Sequence, residues 1–302
     1  MTVGERDVYG AVEGGGTKFV CLVGTSPDDI VDEVTIPTTT PTETIGAVIE
    51  FLRRPRPGVR LVSVGVATFG PIDLDPRSET YGCVLKTTKP EWSGARILGP
   101  LARRLGVPIA WDTDVNGAVL GEARWGAARG LDPVLYLTIG TGIGGGALVN
   151  GAPIHGLIHP EMGHLPVPTY AGDTFPGICS FHGRCLEGMA SGPALAARCG
   201  RPVPEIPADD PVWDLAAWYL AHGISGLVLT LSPRRVILGG GVMRQATLLP
   251  RIRRKLVEVL NGYLEVPELS ERIDEYLVPS ALGQKAGLYG AIVLAERARG
   301  DG

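Results

Sequence analysis

The chain has 302 residues, 44% of them hydrophobic, and this length supports a sizeable core divided between two lobes with a cleft. The formal net charge is −4 and the basic residues are scattered, which excludes the basic surface of a nucleic-acid binder. No basic segment precedes an apolar one at the N-terminus and no apolar run approaches the roughly 18 residues of a membrane helix, so we expect a cytoplasmic protein without a membrane partner.

The first predicted element is a β-hairpin over residues 8–23, where an apolar strand, a glycine turn and a second apolar strand follow one another. The same order recurs over residues 134–149, so one architectural unit occurs twice. Between the hairpins the pattern predicts α/β alternation. Helices are expected near 43–53, 96–105 and 116–125, and strands at 61–70 and 108–114.

The second half of the chain is predicted to be richer in helices. Residues 151–188 are rich in Gly, Pro, His and Cys, and an irregular segment of this length indicates a functional loop region. Helices should dominate 191–231 apart from a Pro-rich interruption at 202–211. A strand at 235–242, a helix at 248–261 and a last helix at 284–299, packed against a sheet, complete the pattern.

Three glycine-rich turns, at 14–18, 141–146 and 239–241, are candidates for phosphate binding. Glycines let backbone N–H groups approach an anion without an obstructing Cβ. For any one of these turns alone, a plain hairpin or strand-to-helix connection is the favoured interpretation. Two of them are the turns of the repeated hairpins, however, and the third joins a strand to a helix whose N-terminus can face an anion. Neither the Rossmann fingerprint nor the P-loop describes this layout.

The string WDTDVNGA offers acid–base candidates. Asp112, Asp114 and Asn116 alternate at the end of a predicted strand, just before a helix that should start near Gly117. Alternate strand residues share a face, so all three are expected to point into one cleft. Asp114 is the candidate general base, with helix capping as the alternative; for Asp112 we favour capping.

A second candidate site combines cysteine and histidine. The five cysteines are odd in number and unevenly spaced, which indicates reduced thiols rather than a secreted disulfide framework. His164, Cys179, His182 and Cys185 have the spacing H-x14-C-x2-H-x2-C. Four such ligands suit a tetrahedral structural zinc with no open position. His155 and His159 remain alternative ligands.

An ordered series of motifs identifies the chain as a member of the ROK family (repressor, open reading frame, kinase), and it resembles the fructokinase branch of that family most. The motifs are AVEGGGTKFVC, GVATFGPID, TTKPEW, HPEMGH, CSFHGRCLEGMASGPA and ALGQKAGLYGA. The resemblance runs from Ala11 to about Leu294. It implies the two-lobed actin-like ATPase (ribonuclease H-like) α/β fold with a duplicated core.

The resemblance also implies roles for particular residues. Asp114, two positions before Asn116, matches the Asp that deprotonates the sugar hydroxyl. Glu13 stands where most members carry Asp at a water or magnesium contact. The residues implied near the nucleotide are Gly15, Thr17, Lys18, Thr141, Gly142, Pro193, Gly239, Gly240 and Gly241. Those implied to contact sugar are Gly70, Pro71, Asn116, Glu161, His164 and Glu187, although Glu187 alternatively serves only to open a helix.

The expected activity is ATP-dependent phosphorylation of D-fructose to fructose 6-phosphate, with ATP, Mg²⁺ and a structural Zn²⁺. The alternatives are a kinase for mannose, glucose or N-acetylmannosamine, or a non-catalytic sugar-sensing regulator. Only about a dozen residues precede the first glycine turn, too few for a helix-turn-helix. The expected lobes are 1–117 with the helix at 285–300, and 118–284 with the zinc and sugar segment 151–190. Because relatives often pair, we expect a homodimer.

Overall fold

The computed structural model describes residues 5–300, apart from the side chain of Pro90. The chain divides into two compact units. The first contains the described residues up to Gly126, the segment Pro153–Pro160 and the chain from Lys285 onward. The second contains Ala127–Ala152 and Glu161–Gln284.

Each unit is built on one five-stranded sheet. The first sheet contains β1 (Arg6–Gly14), β2 (Lys18–Ser26), β3 (Asp29–Pro37), β4 (Val59–Thr68) and β5 (Ile109–Thr113). The second contains β6 (Val134–Ile139), β7 (Ile143–Val149), β8 (Ala152–Pro153), β9 (Arg235–Gly239) and β10 (Leu277–Pro279).

The two sheets share one topology. The first has the order β3-β2-β1-β4-β5, and the second, taken from its other edge, has the order β8-β7-β6-β9-β10. In each, a central strand pairs antiparallel with its hairpin partner and parallel with the next strand along the sheet. Both predicted hairpins and the predicted duplication are therefore confirmed.

Helices connect the parallel strands, which a two-residue turn cannot join. Within residues 5–300 the α-helices are α1 (Pro41–Arg53), α2 (Leu98–Leu105), α3 (Asp114–Trp125), α4 (Leu186–Ala190), α5 (Gly192–Cys199), α6 (Val212–Leu231), α7 (Leu248–Leu260), α8 (Ile273–Tyr276) and α9 (Ala286–Arg299). The predicted helices of the α/β alternation all form, with shifts of a few residues at their ends.

In the first unit, α9 packs on α3 and on the sheet at points where no side chain fits. A Cβ on Gly290 of α9 would lie 1.6 Å from the carbonyl oxygen of Gly117 in α3. A Cβ on Gly65 of β4 would lie 1.8 Å from the carbonyl oxygen of Ala291. Real Cβ atoms never approach so closely, so glycine is required at both contacts. The C-terminal helix is thereby brought against the strands that carry the candidate site of this unit.

In the second unit, α6 has 20 residues and reaches the length and mean hydropathy of a membrane span, although it contains Asp214 and His222. The prediction that no apolar run approaches that length is therefore wrong. About two thirds (67%) of its most apolar stretch is buried inside the protein, and Trp213 and Tyr219 are fully buried. A helix that is hydrophobic on all sides is typical of a core position.

The predicted loop region is irregular until α4, apart from β8 and one turn of 3₁₀ helix at Met162–His164. A buried ion pair fixes its second half. Arg198 donates to both carboxylate oxygens of Asp173, at 3.0 and 2.8 Å, and the Tyr219 hydroxyl donates to the same group at 2.5 Å. These hydrogen bonds hold the pKa of Asp173 well below its usual range, and those from Arg198 have the largest effect. A bidentate pair of this kind gives the loop a defined position despite its lack of regular structure.

Candidate functional site

The candidate base Asp114 is the first residue of α3, which corrects the expected strand geometry. β5 ends at Thr113, and the Thr113 hydroxyl accepts a hydrogen bond from the Asn116 N–H at 3.2 Å, so threonine caps the helix. The helix thus starts before Gly117, and Asp112 is not its cap. Because a helix turns by about 100° per residue, Asp112, Asp114 and Asn116 do not share one strand face.

Asp114 lies beside a second carboxyl group, that of Glu13 on β1. Burial raises the pKa of Asp114 to about 6. Burial, reinforced by the negative charge of Asp114, raises the pKa of Glu13 to about 7. Removing two neighbouring carboxylates from water disfavours their charged forms, so a cation or a proton between them is stabilised. Both carboxyl groups therefore bind a proton more readily than free carboxylates do, and a nearby cation would favour their charged forms.

Glu13 also contacts the N-terminus of α9. Its carboxylate accepts a hydrogen bond from the Leu288 N–H, and a Cβ on Gly287 would lie 2.5 Å from its Oε1 atom. No side chain caps α9 at Lys285, so Glu13 supplies an acceptor for one of the free N–H groups there. Gly287 leaves the space that this longer carboxylate needs.

Asp112 on β5 is buried and accepts hydrogen bonds from two side chains. The Asn116 amide nitrogen lies 2.8 Å from its Oδ1 atom, and His155 Nε2 lies 3.0 Å from its Oδ2 atom. The Thr113 N–H donates to Asp112 as well, at 2.7 Å. The bond to Asp112 raises the pKa of His155. Asp112 therefore holds one polar side chain from the adjoining helix and one from a segment 43 residues away in sequence.

His159 has a separate role in the same unit. It is 4% exposed, and its Nε2 atom accepts a hydrogen bond from the Ile72 N–H at 3.0 Å. Burial lowers the pKa of His159, consistent with a neutral ring that accepts. The ring packs against Gly70, which joins Pro71 through a cis peptide bond. His155 and His159 thus contact Asp112 and the Ile72 N–H, and neither belongs to the group of His164, Cys179, His182 and Cys185.

The first glycine turn closes the β1–β2 hairpin. Gly15 N–H donates to the Lys18 carbonyl at 2.9 Å, and the Thr38 hydroxyl donates to the Gly15 carbonyl at 2.8 Å. Thr17 and Lys18 are exposed. The Lys89 ammonium contacts the Gly16 carbonyl, so a second cation lies at this turn. Exposed N–H groups and lysine side chains are suited to an anion.

The second glycine turn, between β6 and β7, is tied to α4. Glu187 Oε2 accepts a hydrogen bond from the Ile143 N–H at 3.0 Å, and a Cβ on Gly142 would lie 2.6 Å from the same oxygen. The Gly192 N–H at the start of α5 donates to the Gly140 carbonyl at 2.8 Å. Glu187 thus lies in the first turn of α4 and also contacts the glycine turn, while Thr141 is exposed.

The third glycine turn follows β9. Gly240 has φ +92°, and a Cβ there would lie 2.3 Å from the Ile139 carbonyl oxygen. A Cβ on Gly239 would lie 2.1 Å from the Tyr136 hydroxyl, whereas Gly241 faces open space. The turn leads into a short 3₁₀ helix at Val242–Arg244, and α7 begins only at Leu248. The expected helix N-terminus directly after this turn is therefore absent.

The remaining predicted residues of the second unit lie on short elements. Glu161 is exposed and precedes the 3₁₀ turn that carries His164. Gly163 in that turn packs directly on the Ile143 backbone, since a Cβ would lie 1.7 Å from its carbonyl oxygen. Pro193 is exposed in the first turn of α5. Glu161 and His164 are thereby fixed relative to β7.

The four predicted metal ligands come together in the second unit. One donor atom from each of His164, Cys179, His182 and Cys185 lies within 4.8 Å of all the others. Cys179 Sγ is 3.7 Å from Nδ1 of both histidines, and Cys185 Sγ is 3.5 Å from His164 Nδ1. Tetrahedral zinc with bonds of about 2.0 Å to nitrogen and 2.3 Å to sulfur separates its ligands by about 3.5 Å. The donor set and its spacing fit such an ion.

The predicted site residues divide between the two units. Gly15, Thr17, Lys18, Gly70, Pro71, Asp114 and Asn116 belong to the first unit, and the other predicted site residues belong to the second. The sequence interpretation missed Glu13 as a helix-capping group and the pairing of Asp112 with His155. The spacing of two histidines in PIHGLIHP was the available signal for the second of these.

Comparisons with known proteins agree with this geometry. The model of the ROK family matches residues 9–298. A fructokinase of Pediococcus pentosaceus is 41% identical, with 96% of this chain and 98% of the relative covered. A ROK family glucokinase from Streptomyces griseus, solved in complex with glucose and AMPPNP, superimposes with a TM-score of 0.75 at 26% identity. That match covers 96% of this chain and 99% of the other.

The duplicated sheets and glycine turns are those of a sugar kinase with the two-lobed actin-like ATPase fold, so the predicted fold class is confirmed. The chain belongs to the ROK family. The resemblance to the fructokinase branch, inferred from the motifs, is confirmed by the identity with fructokinases.

Proposed function

We propose that this chain is a fructokinase, which transfers the γ-phosphoryl group of ATP to the 6-hydroxyl of D-fructose. The observation that carries the proposal is its 38–43% identity to several fructokinases over most of the chain. The AMPPNP complex of the related glucokinase supports a nucleoside triphosphate as the phosphoryl donor.

Asp114 acts as the general base in this reaction. Its carboxylate accepts the proton of the 6-hydroxyl while the hydroxyl oxygen attacks the γ-phosphorus, and the bond from that phosphorus to the β–γ bridging oxygen breaks to release ADP. Bound Mg²⁺ would neutralise the phosphate charge, and Glu13 is the residue proposed to hold it, directly or through water. A raised pKa suits Asp114 to this task, because its proton affinity is closer to neutral pH.

The proposed binding groups follow the motif assignments. The nucleotide phosphates contact Gly15, Thr17, Lys18, Thr141 and Gly142, and Pro193 and Gly239 to Gly241 lie by the rest of the nucleotide. Gly70, Pro71, Asn116, Glu161, His164 and Glu187 contact the sugar. The exposure of Thr17, Lys18, Thr141 and Glu161 supports these roles.

We also propose that His164, Cys179, His182 and Cys185 hold a structural Zn²⁺. Two thiolates and two imidazoles leave no open position for a reacting water, so the ion stabilises the loop instead of activating a nucleophile. Because His164 faces the cysteines with Nδ1, its Nε2 atom remains for the sugar.

The expected setting is a cytoplasmic homodimer with no nucleic-acid or membrane partner. The five cysteines are all free, which supports a reducing compartment, and the net charge of −4 does not favour nucleic acid. The proposed kinase lobes remain 1–117 with 285–300, and 118–284 with the segment 151–190.

The substrate assignment is tested by an ADP-release assay with fructose, glucose, mannose and N-acetylmannosamine at matched concentrations, with ATP and Mg²⁺ present. We expect kcat/KM to be highest for fructose. The glucose complex of the related glucokinase favours another hexose as the second candidate. Turnover that is no faster with fructose than with glucose or mannose would replace the fructokinase assignment by that alternative.

The pH dependence of catalysis should report the carboxyl group of Asp114. Its pKa is raised to about 6, and only the deprotonated form accepts a proton, so activity is lost as the pH falls. We expect kcat/KM for fructose to level off above neutral pH and to fall about tenfold per pH unit below about pH 6. Initial rates from about pH 5 to pH 8 at saturating ATP measure this limb. A profile that stays flat through pH 6 to pH 5 would contradict the assignment.

A further inference from the structure

The pairing of Asp112 with His155 is not used by the proposed mechanism. Asp112 is 2% exposed and its carboxylate is anchored on β5, directly before the residue that caps the helix of Asp114. His155 comes from Pro153–Pro160, a segment of the first unit that lies far away in sequence. A buried carboxylate gains from such a partner, because an unpaired charge is costly to bury.

Asp112 also dictates how its two partners are oriented. A carboxylate only accepts hydrogen bonds, so the Nε2 atom of His155 carries a proton, and the amide of Asn116 turns its nitrogen toward Asp112. The opposite ends of both side chains, His155 Nδ1 and Asn116 Oδ1, consequently face away from the carboxylate. The two nitrogen atoms that bind Asp112 are 3.4 Å apart, so the two side chains are neighbours.

The outward end of His155 is open to a ligand. The His155 side chain is 43% exposed, whereas the carboxylate of Asp112 to which it binds is buried. Among the residues that the structure describes, His155 Nδ1 has no hydrogen-bond partner. A half-exposed ring held rigidly by a buried carboxylate is a prepared hydrogen-bonding group.

We propose that His155 is an additional sugar-binding residue, which Asp112 holds beside Asn116 with its Nδ1 atom directed at a sugar hydroxyl. Nδ1 offers a lone pair when the ring is neutral and an N–H when it is charged, and a hydroxyl group accepts or donates to match. Asp112 is the positioning residue of this pair. The inference rests on the proposed function and adds a specificity-determining contact to it.

The first test compares His155→Ala and His155→Gln with the wild-type enzyme. We expect His155→Ala to raise KM for fructose about tenfold with a smaller change in kcat, because one hydrogen bond to the sugar is lost. The glutamine amide can donate to Asp112 and still offer an oxygen, so His155→Gln should recover part of the loss. His222→Gln, which replaces a histidine bonded within α6, is the matched control and should keep KM within about twofold.

The second test identifies which hydroxyl group of the sugar contacts His155. Fructose analogues that each lack one hydroxyl group are assayed with the wild-type enzyme and with His155→Ala. For the contacted hydroxyl, its removal should lower kcat/KM about tenfold in the wild type and hardly at all in the variant. Asp112→Asn should reduce the same discrimination, because an amide no longer fixes the orientation of the ring.

The outcomes separate this inference from the proposed function. Fructose turnover by the wild type, with losses that are additive for every analogue, would overturn the role of His155 and leave the fructokinase intact. An unchanged KM in a folded His155→Ala protein would do the same. If the wild type instead turns over another hexose, the analogues of that hexose are used, and non-additivity at one hydroxyl supports the contact.

Discussion

Replacing Asp114 by asparagine is expected to lower kcat for fructose phosphorylation by roughly 10²–10⁴-fold, the usual contribution of a general base. The amide has nearly the same size, but it cannot accept the proton of the 6-hydroxyl. Because the substitution leaves the nucleotide-binding groups unchanged, KM for ATP should change by less than about threefold. The coupled ADP-release assay at saturating substrate measures both constants.

The loss of kcat in Asp114→Asn must be distinguished from destabilisation of α3, which begins at Asp114. The raised pKa means that the buried, charged carboxylate of Asp114 costs stability at neutral pH, so the neutral amide is expected to keep or slightly raise the melting temperature. A large loss of kcat would then not reflect unfolding. Asp75→Asn is the matched control, since the exposed carboxylate of Asp75 accepts hydrogen bonds from the backbone N–H and the guanidinium of Arg77. It should keep kcat within about twofold. More than a tenth of wild-type kcat in Asp114→Asn would exclude Asp114 as the base.

Replacing Cys185 by serine should remove the metal and destabilise the second unit. Cys185 is 2% exposed and directly precedes α4, so its thiolate would hold the zinc at the base of that helix. Zinc bound only by the folded protein contributes its binding free energy to folding. We expect the purified wild-type protein to contain about one zinc per chain, and the variant to contain little and to melt on the order of 5 °C or more lower.

Elemental analysis and thermal melts of the same preparations test this prediction. Cys199→Ser removes a thiol that is outside the ligand cluster, and it should retain the metal and melt within about 2 °C of the wild type. Prolonged dialysis of the wild type against a strong chelator should reproduce the lower melting temperature. A wild-type protein that folds without metal, or a Cys185→Ser protein that retains it, would contradict the zinc proposal.

Much of the fold could be predicted because its signals are local. The hairpins at 8–23 and 134–149 follow from apolar runs on either side of a glycine turn, and both form in register across that turn. The ordered motifs identified the family, and the cysteine and histidine spacing indicated a metal cluster. These signals depend on neighbouring residues, so periodicity and spacing are sufficient to detect them.

The predicted start of α3 was wrong because two local preferences compete at Thr113. Thr113 is a β-branched residue that suits the end of a strand and also a hydroxyl that caps a helix. Capping prevails in the structure, since the hydroxyl accepts from the Asn116 N–H, and Asp114 thereby becomes helical. The sequence pattern alone did not distinguish these outcomes.

The sequence by itself determined the duplicated α/β core, the family and the candidate base of this protein. Only the tertiary structure decided which polar groups meet. His155 reaches Asp112 across 43 residues and His159 reaches Ile72 across 87, and Glu13 of β1 contacts the first turn of α9 near the other end of the chain. Which polar groups meet depends on how whole elements pack, for example where Gly117 and Gly290 allow α3 and α9 to touch. The periodicity of the sequence does not predict such contacts.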